Sequence, residues 1–128
     1  MSLKDTLRVM VVDDMSTSRG LITQALNDVG IWNIETENDG QAAFNKLAAK
    51  PVHLVLSDMN MPGMDGLGLL KCLRQNKSTE RIGFILVTGS PSNQIIQQGQ
   101  QLGLNNMIKK PFTAASMKQC MERVVGPL

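Results

Sequence analysis

Short apolar runs alternate with longer amphipathic stretches along the whole chain. Apolar runs of four to six residues, several rich in Val, Ile and Leu, are typical of buried strands in a parallel sheet. The runs predict strands at residues 7–12, 33–37, 53–57, 84–87 and 106–109. Helical spacing of apolar residues or helix-start signals after each strand predict helices at residues 16–29, 39–50, 65–75, 92–102 and 113–125.

The ends of several predicted helices carry the expected signals. Gly30 and Gly103 are placed to end two of them, Asp65 is placed to cap a third, and Thr113 is the expected N-cap of the last. Five βα units with no repeat or linker between them predict one α/β domain over residues 1–128, a doubly wound parallel sheet of five strands with five helices. The pattern does not give the order of the strands.

Composition excludes several classes of protein. A length of 128 residues suits one domain, and a net charge of +2 with no polybasic run argues against nucleic-acid binding. Two distant cysteines and one histidine provide no zinc site. No apolar run is long enough for a signal peptide or a membrane span, so we expect a soluble cytoplasmic protein with reduced cysteines.

Polar residues stand where the predicted strands end. Asp13 and Asp14 follow the first strand, Asp58 the third, Thr88 the fourth and Lys110 the fifth. The carboxyl ends of parallel strands share one edge of the sheet, where ligands bind in open α/β folds. We therefore expect these five residues to converge.

The convergent set suits phosphoryl transfer. Three crowded carboxylates repel each other, and a hard cation with oxygen ligands such as Mg²⁺ removes that repulsion while keeping positions open for phosphate oxygens. Lys110 adds a second positive charge, Thr88 offers a hydroxyl, and an Asp carboxylate can act as a nucleophile. Taken singly, each motif also fits an ordinary turn or helix cap. Four such motifs at four strand ends are harder to explain by coincidence.

Four motifs in order resemble response-regulator receiver domains. They are Val-Val-Asp-Asp at 11–14, Ser-Asp-Met-Asn-Met-Pro-Gly-Met-Asp-Gly at 57–66, Val-Thr-Gly at 87–89 and Lys-Lys-Pro-Phe at 109–112. The resemblance covers essentially the whole chain and is strongest to the stand-alone, CheY-like chemotaxis regulators of that family. It implies a flavodoxin-like sheet with strand order 2-1-3-4-5.

The resemblance also implies a role for each acidic residue. Asp58 would be the phosphoacceptor. Asp14, the Asp58 carboxylate and the backbone carbonyl of Asn60 would bind Mg²⁺ directly, and Asp13 would hold the metal through water. No organic cofactor is implied.

The remaining implied roles concern the phosphoryl group and the partners. Lys110 would contact a phosphoryl oxygen, Thr88 would swing towards the phosphoryl group, and the Lys110–Pro111 bond would be cis. A CheA-like histidine kinase would be the phosphodonor, and a flagellar motor switch protein or another protein would be the target. The chain would be a monomer and no enzyme beyond its own phosphorylation and dephosphorylation.

Three positions depart from the resemblance. Met107 stands where an aromatic residue usually couples to the Thr switch, and Gly89 and Ser90 follow Thr88 in place of the usual Ala and acid. Thr88 and Met107 are therefore the expected switch and output positions, with altered mechanics. The departures motivate an alternative function, a phosphate sink or relay receiver that drains a shared kinase.

A phosphatase of the haloacid-dehalogenase type is a further alternative from another class. Such enzymes also use a strand-end Asp, Mg²⁺ and a Lys, but they generally place an acid two residues after the nucleophile. Asn60 stands at that position here and cannot act as a general acid.

Several other residues have simpler structural interpretations. We expect His53 to be structural or on the surface, Cys72 and Cys120 to act as small apolar residues, and Trp32 to lie in a turn. We expect a solvated helix face to contain Gln94, Gln97, Gln98, Gln100 and Gln101.

Overall fold

A computed structural model describes residues 2–128, which form five strands and six helices in alternating order. The strands are β1 (Val9–Val12), β2 (Ile34–Glu37), β3 (Leu54–Asp58), β4 (Gly83–Thr88) and β5 (Asn106–Lys109). The helices are α1 (Leu3–Thr6), α2 (Ser16–Val29), α3 (Gly40–Ala49), α4 (Gly66–Arg74), α5 (Asn93–Gln101) and α6 (Ala114–Val125).

The five strands form one parallel sheet in the order β2-β1-β3-β4-β5. This confirms the parallel α/β fold and the strand order that the resemblance implied. The register aligns the carboxyl ends of the central strands, because Val12 pairs with Ser57, and Asp58 pairs with Val87. Residues at these strand ends are thereby held at one edge of the sheet.

Alternate residues of each strand face opposite sides of the sheet, and each side carries its own apolar cluster. On one side the strands pack against α2 and α6, which lie next to each other. The buried residues there include Val9, Val11, Leu56, Val87, Ile22, Leu26, Met117 and Met121. A parallel sheet covered on both faces explains why its strands appear as continuous apolar runs.

The other side of the sheet packs against α3 and α4, with α5 contributing partly buried residues. Its buried residues include Met10, Val12, Val55, Phe84, Leu86, Leu47, Leu70 and Leu73. The wholly buried Phe84 and Met10 supply volume at the centre of this side.

The helix count differs from the five that the sequence predicted. The additional helix α1 is a single turn at the start of the chain, where Ser2 donates its backbone N–H and its hydroxyl to the Asp5 carboxylate at 3.3 and 2.9 Å. Four residues are too short to show helical periodicity. The first strand begins at Val9 and not at residue 7, because Leu7 is the C-cap of α1 and its N–H donates to the Leu3 carbonyl.

Two strand ends also correct the prediction. Asp58 and Thr88 are the last residues of β3 and β4 and do not follow them. The reason is that β3–β4 pairing continues to Asp58, and the next N–H, that of Met59, donates to the Val87 carbonyl at 3.2 Å.

The predicted helix signals are confirmed at several ends. Gly30 adopts the left-handed conformation, with φ of 102°, directly after α2. The side chains of Asp65 and Thr113 cap α4 and α6 by accepting from the N–H groups of Gly68 and Ser116. Among residues 2–128, no helix combines the length and apolar character that a bilayer span requires.

Candidate functional site

Three carboxylates meet at the carboxyl edge of the sheet. Asp13 and Asp14 directly follow β1, and Asp58 ends the neighbouring strand β3. One oxygen from each of the three lies within 4.8 Å of the others. Asp13 is fully buried, Asp58 is 8% exposed and Asp14 is the least buried. The structure thus brings together the three acids that the sequence placed at strand ends.

Asp13 is fixed from several directions, but one of its oxygens is left without a partner. Its Oδ1 accepts from the Met15 N–H at 3.0 Å, and its carbonyl accepts from Arg19 Nη1 at 2.8 Å. Its Oδ2 is buried and has no hydrogen-bond partner within residues 2–128. A buried anionic oxygen is costly unless a charge or a donor satisfies it. The acidic oxygen set and this unpartnered atom therefore fit a divalent cation.

Lys110 reaches the acidic cluster from the end of β5. Its Nζ donates to Asp58 Oδ1 at 3.0 Å and to Ser18 Oγ at 2.9 Å, and it lies 3.9 Å from Asp13 Oδ2. Its backbone N–H donates to the Thr88 carbonyl at 2.9 Å, and the Lys110–Pro111 bond is cis, as the resemblance implied. One ammonium thus contacts two members of a cluster of three carboxylates, which leaves the cluster with a deficit of positive charge.

The electrostatic balance at Asp58 follows from this arrangement. Burial raises the pKa of the Asp58 carboxyl, the Lys110 hydrogen bond and charge lower it, and the charge of Asp13 raises it; burial dominates, so the pKa lies above its ordinary value. A cation bound beside Asp58 would favour the carboxylate form. That is the form a nucleophile needs.

The main chain around Asp58 is held by a close approach of α4. A Cβ on Gly66 would lie 2.6 Å from the Asp58 carbonyl oxygen and 2.6 Å from Leu86 Cδ1. The Gly66 N–H donates to the Met59 carbonyl at 2.9 Å. Glycine at this position lets the start of α4 seat the Asp58 strand end.

Thr88 and Met107 lie on neighbouring strands but differ in their surroundings. Thr88 is 1% exposed, and its Oγ1 accepts from the Ser90 N–H at 3.1 Å. Met107 pairs with Leu86 and packs, partly buried, against the cluster on the α3–α4 side. Thr88 is therefore at the site edge, while Met107 lies two positions back towards the apolar interior.

Two residues that contact this set were missed in the sequence. Ser18 binds Lys110, and Arg19 binds the Asp13 carbonyl, both from the start of α2. The sequence offered one signal for them, which is their position at the start of a helix just after the strand-end acids. The first turns of such a helix lie beside the site. Asn60 lies two residues after Asp58 and is exposed; the ligand role of its carbonyl stays a prediction.

The residues interpreted as structural are found in ordinary surroundings. His53 Nδ1 accepts from the Arg8 N–H at 2.9 Å, at the opposite end of β3 from Asp58. Both cysteines are free, and burial raises the pKa of the Cys120 thiol to about 11. The five glutamines of α5 are all exposed, as expected.

The fold and this edge cluster define a class of α/β protein, and comparison with known families names it. The response regulator receiver domain family matches residues 9–122. The chain therefore belongs to that family, as the four motifs indicated.

Proteins similar to this chain include chemotaxis proteins and receiver domains. The probable chemotaxis protein CheY of Rhizobium etli is 41% identical over 128 residues, covering 100% of this chain and 99% of that protein. The Vibrio cholerae chemotaxis protein CheY4 has a structure that matches with a TM-score of 0.85 at 28% identity, covering 92% and 98% of the two chains. The receiver domain of the Pseudomonas aeruginosa sensor histidine kinase PA1611, solved with a magnesium ion in its active-site cleft, matches at 0.83 and 22% identity over 94% and 98%, which shows the shared fold.

Proposed function

We propose that this protein is a single-domain, phosphorylation-controlled binding module with Asp58 as its phosphoacceptor. The observation that carries the proposal is the cluster of Asp13, Asp14 and Asp58 within 4.8 Å, with Lys110 Nζ 3.0 Å from Asp58 Oδ1. Family membership supports it. A structural ion pair would not need two additional acids beside it.

The acids are the residues that would hold Mg²⁺. The donor set contains only oxygen atoms, and the unpartnered Oδ2 of Asp13 marks where positive charge is missing. Asp14, Asp58 and the Asn60 carbonyl complete the proposed ligand set. When bound, Mg²⁺ supplies charge that neutralises the phosphoryl oxygens. A related receiver domain of PA1611 carries magnesium in its active-site cleft, which supports this assignment.

The proposed reaction is transfer of a phosphoryl group from a phosphohistidine. An oxygen of the Asp58 carboxylate forms a bond to phosphorus, the P–N bond to the donor imidazole breaks, and that nitrogen keeps the electron pair. The Lys110 ammonium shifts its hydrogen bond from Asp58 to a phosphoryl oxygen and stabilises the negative charge on that oxygen. Hydrolysis by water later restores the carboxylate, so the chain acts on its own phosphate and has no further substrate.

The proposed partners follow from the chemotaxis relatives. Similarity to chemotaxis proteins supports a CheA-like histidine kinase as the proposed phosphodonor, and a flagellar motor switch protein or another protein as the proposed target. Thr88 is positioned to respond, since it ends β4 at the site edge and its hydroxyl, within residues 2–128, accepts a hydrogen bond from the Ser90 N–H alone. A turn of Thr88 towards the phosphoryl group would open space beside β5, which Met107 borders.

The central experiment measures phosphorylation directly. Incubation with acetyl phosphate and Mg²⁺ should raise the intact mass by one phosphoryl group. EDTA should abolish the gain, and so should Asp58→Asn, because an amide cannot act as the nucleophile. Asp39→Asn is a matched control, since Asp39 is an exposed cap of α3 where Asn serves equally well. An unchanged mass with both acetyl phosphate and a phosphorylated kinase would refute the proposal.

A phosphate sink is the second candidate, and Met107 is the observation that favours it. Methionine has no hydroxyl or ring to couple with a moving Thr88, so phosphorylation of Asp58 need not reach the partner face. Comparing the affinity of phosphorylated and unphosphorylated protein for a motor-switch peptide separates the two functions. A large increase in affinity on phosphorylation excludes the sink, whereas equal affinities support it.

A further inference from the structure

The Lys110 ammonium is oriented by hydrogen bonds to two groups on different elements, and a third group lies close by. Two of its protons are directed to Asp58 Oδ1 at 3.0 Å and Ser18 Oγ at 2.9 Å, and Asp13 Oδ2 lies 3.9 Å away. Both carboxylates belong to the acidic cluster that would hold the metal. The Ser18 hydroxyl is the uncharged member and holds the ammonium from the side of α2.

Ser18 is itself rigidly supported. It lies in the first turn of α2, which is tied to the acidic cluster by the Arg19 guanidinium and the Asp13 carbonyl at 2.8 Å. Within residues 2–128, the hydrogen bond that Ser18 Oγ makes is the one it accepts from Lys110 Nζ. A long lysine side chain that is 30% exposed would otherwise have many conformations.

We propose that Ser18 is a positioning residue that holds Lys110 in place for phosphoryl transfer to Asp58. The proposal rests on the proposed function and goes beyond it, because Ser18 is outside the proposed metal ligands and its hydrogen bond is with Lys110. With the hydroxyl in place, the ammonium stays over Asp58 when its other partner changes from carboxylate to phosphoryl oxygen. Without it, the ammonium is free to swing out to solvent or towards Asp13.

The expected effect follows from the kind of hydrogen bond. A bond between a neutral acceptor and a charged donor, partly open to solvent, is expected to change a rate by about 3- to 10-fold. Ser18→Ala should therefore slow phosphorylation by acetyl phosphate by about that factor through the maximal rate, with the half-saturating donor concentration little changed. Mg²⁺ affinity should stay within about twofold, because the substitution removes no charge and no ligand.

Conservative variants separate positioning from packing. Ser18→Thr keeps the γ-oxygen and should restore the rate, since Ser18 lines an open groove of about 480 Å³ that accommodates a methyl group. Ser16→Ala makes the same change two residues earlier at an exposed position of the same helix, and should react like the wild type. In a Lys110→Met background, followed over hours by mass spectrometry, Ser18→Ala should have no further effect.

Each result has a distinct meaning. If the wild type takes up no phosphoryl group, the proposed function fails. If the wild type is phosphorylated but Ser18→Ala reacts at the same rate, only the role of Ser18 is overturned. A slow Ser18→Thr variant, or an equal effect of Ser18→Ala with and without Lys110, would also overturn it, because the hydroxyl would then not act through the ammonium.

Discussion

At the scale of single residues, the proposed phosphoacceptor depends on a glycine as well as on charged side chains. Gly66 allows the start of α4 to approach the Asp58 carbonyl at a distance that a Cβ would reduce to 2.6 Å. The two nearest atoms that a Cβ would meet are the main-chain oxygen of Asp58 and Cδ1 of the fully buried Leu86. Neither can move aside cheaply.

Gly66→Ala should therefore destabilise the protein and displace Asp58. Overpacking at such a contact costs about 1–3 kcal/mol of unfolding free energy. Phosphorylation by acetyl phosphate should slow in the same variant, because the nucleophile shifts relative to the acids and Lys110. Denaturant unfolding and the rate of mass gain measure the two effects.

Gly20→Ala is the matched control for this substitution. Gly20 lies inside α2, and a Cβ there would meet nothing within 4 Å. Alanine should stabilise the helix by about 0.5–1 kcal/mol and leave phosphorylation unchanged. If the two variants were equally stable, the close approach at Gly66 would carry no energetic weight.

The residues of the site differ in how far the sequence predicted them. Asp13, Asp14, Asp58, Thr88 and Lys110 were found because each interrupts or follows an apolar run, and a parallel sheet brings such positions to one edge. Ser18 and Arg19 were missed because a serine and an arginine at the start of a helix are common there without any function. Only the fold shows which side of that helix borders the site.

At the scale of elements, Arg74 joins the end of α4 to two loops at the amino end of the sheet. Its Nη1 donates to the carbonyls of Glu80 and Ile82 at 3.0 and 2.8 Å, and its Nη2 to the Gly103 carbonyl and Asn105 Oδ1 at 3.0 and 2.9 Å. Asn105 Oδ1 also accepts from the Phe84 N–H in β4 at 2.8 Å. One planar guanidinium thus holds the α4–β4 and α5–β5 connections together.

Arg74→Lys should loosen both connections although it keeps the charge. An ammonium cannot reach four acceptors in two directions, so we expect a loss of about 1–3 kcal/mol in unfolding free energy. Amide hydrogen exchange should become faster at residues 102–105, which contain the Gly103 carbonyl and the Asn105 side chain that Arg74 binds. Phosphorylation of Asp58, at the opposite edge of the sheet, should proceed at the wild-type rate.

Arg81→Lys is the control for that experiment, since Arg81 is exposed in the same loop region. Its substitution should change neither the unfolding midpoint nor the exchange. Faster exchange limited to the neighbourhood of residue 74 itself, with residues 102–105 unaffected, would show that Arg74 does not join the two connections.

The helices and strands also differ in how well the local sequence pattern predicts them. Strands and helices longer than one turn were predicted to within a few residues, because burial on both sheet faces leaves continuous apolar runs between capped helices. The order of strands was not readable, since parallel strands buried on both faces resemble one another. The one-turn helix α1 was missed because its stability comes from Ser2 and Asp5 and not from periodicity.

At the scale of the whole molecule, the acidic cluster at the carboxyl edge of the sheet lowers the stability of the fold, and the apolar burial elsewhere offsets that loss. The strands bury apolar residues on both faces, yet their carboxyl ends bring two buried acids and a third less buried one against a single ammonium. Burial raises the pKa of Asp58 above its ordinary value of 3.8, so the folded state favours the protonated carboxyl. Charged Asp58 therefore lowers stability.

The sign of the pH dependence follows from linkage. As pH rises from about 3.8 to the raised pKa, the unfolded chain loses the Asp58 proton while the folded protein retains it, so Asp58 makes stability fall with pH across this window. Above the raised pKa the loss is complete. Asp58→Asn should therefore be more stable than the wild type in EDTA at pH 7, with a gap that shrinks as pH falls towards 4.

Mg²⁺ should reverse that order, which ties the stability of the molecule to its proposed function. A cation that binds only the folded state stabilises it by about 2.7 kcal/mol at a hundred times its dissociation constant. The wild type should gain this in full, whereas Asp58→Asn has lost a ligand and should gain less. Asp39→Asn should respond like the wild type, because Asp39 caps α3 outside the cluster. Denaturant unfolding at pH 4–8, in EDTA and in Mg²⁺, measures the difference in unfolding free energy between the wild type and Asp58→Asn under each condition. A wild type more stable than Asp58→Asn in EDTA at pH 7 would show that the attraction of Lys110 outweighs the burial of Asp58.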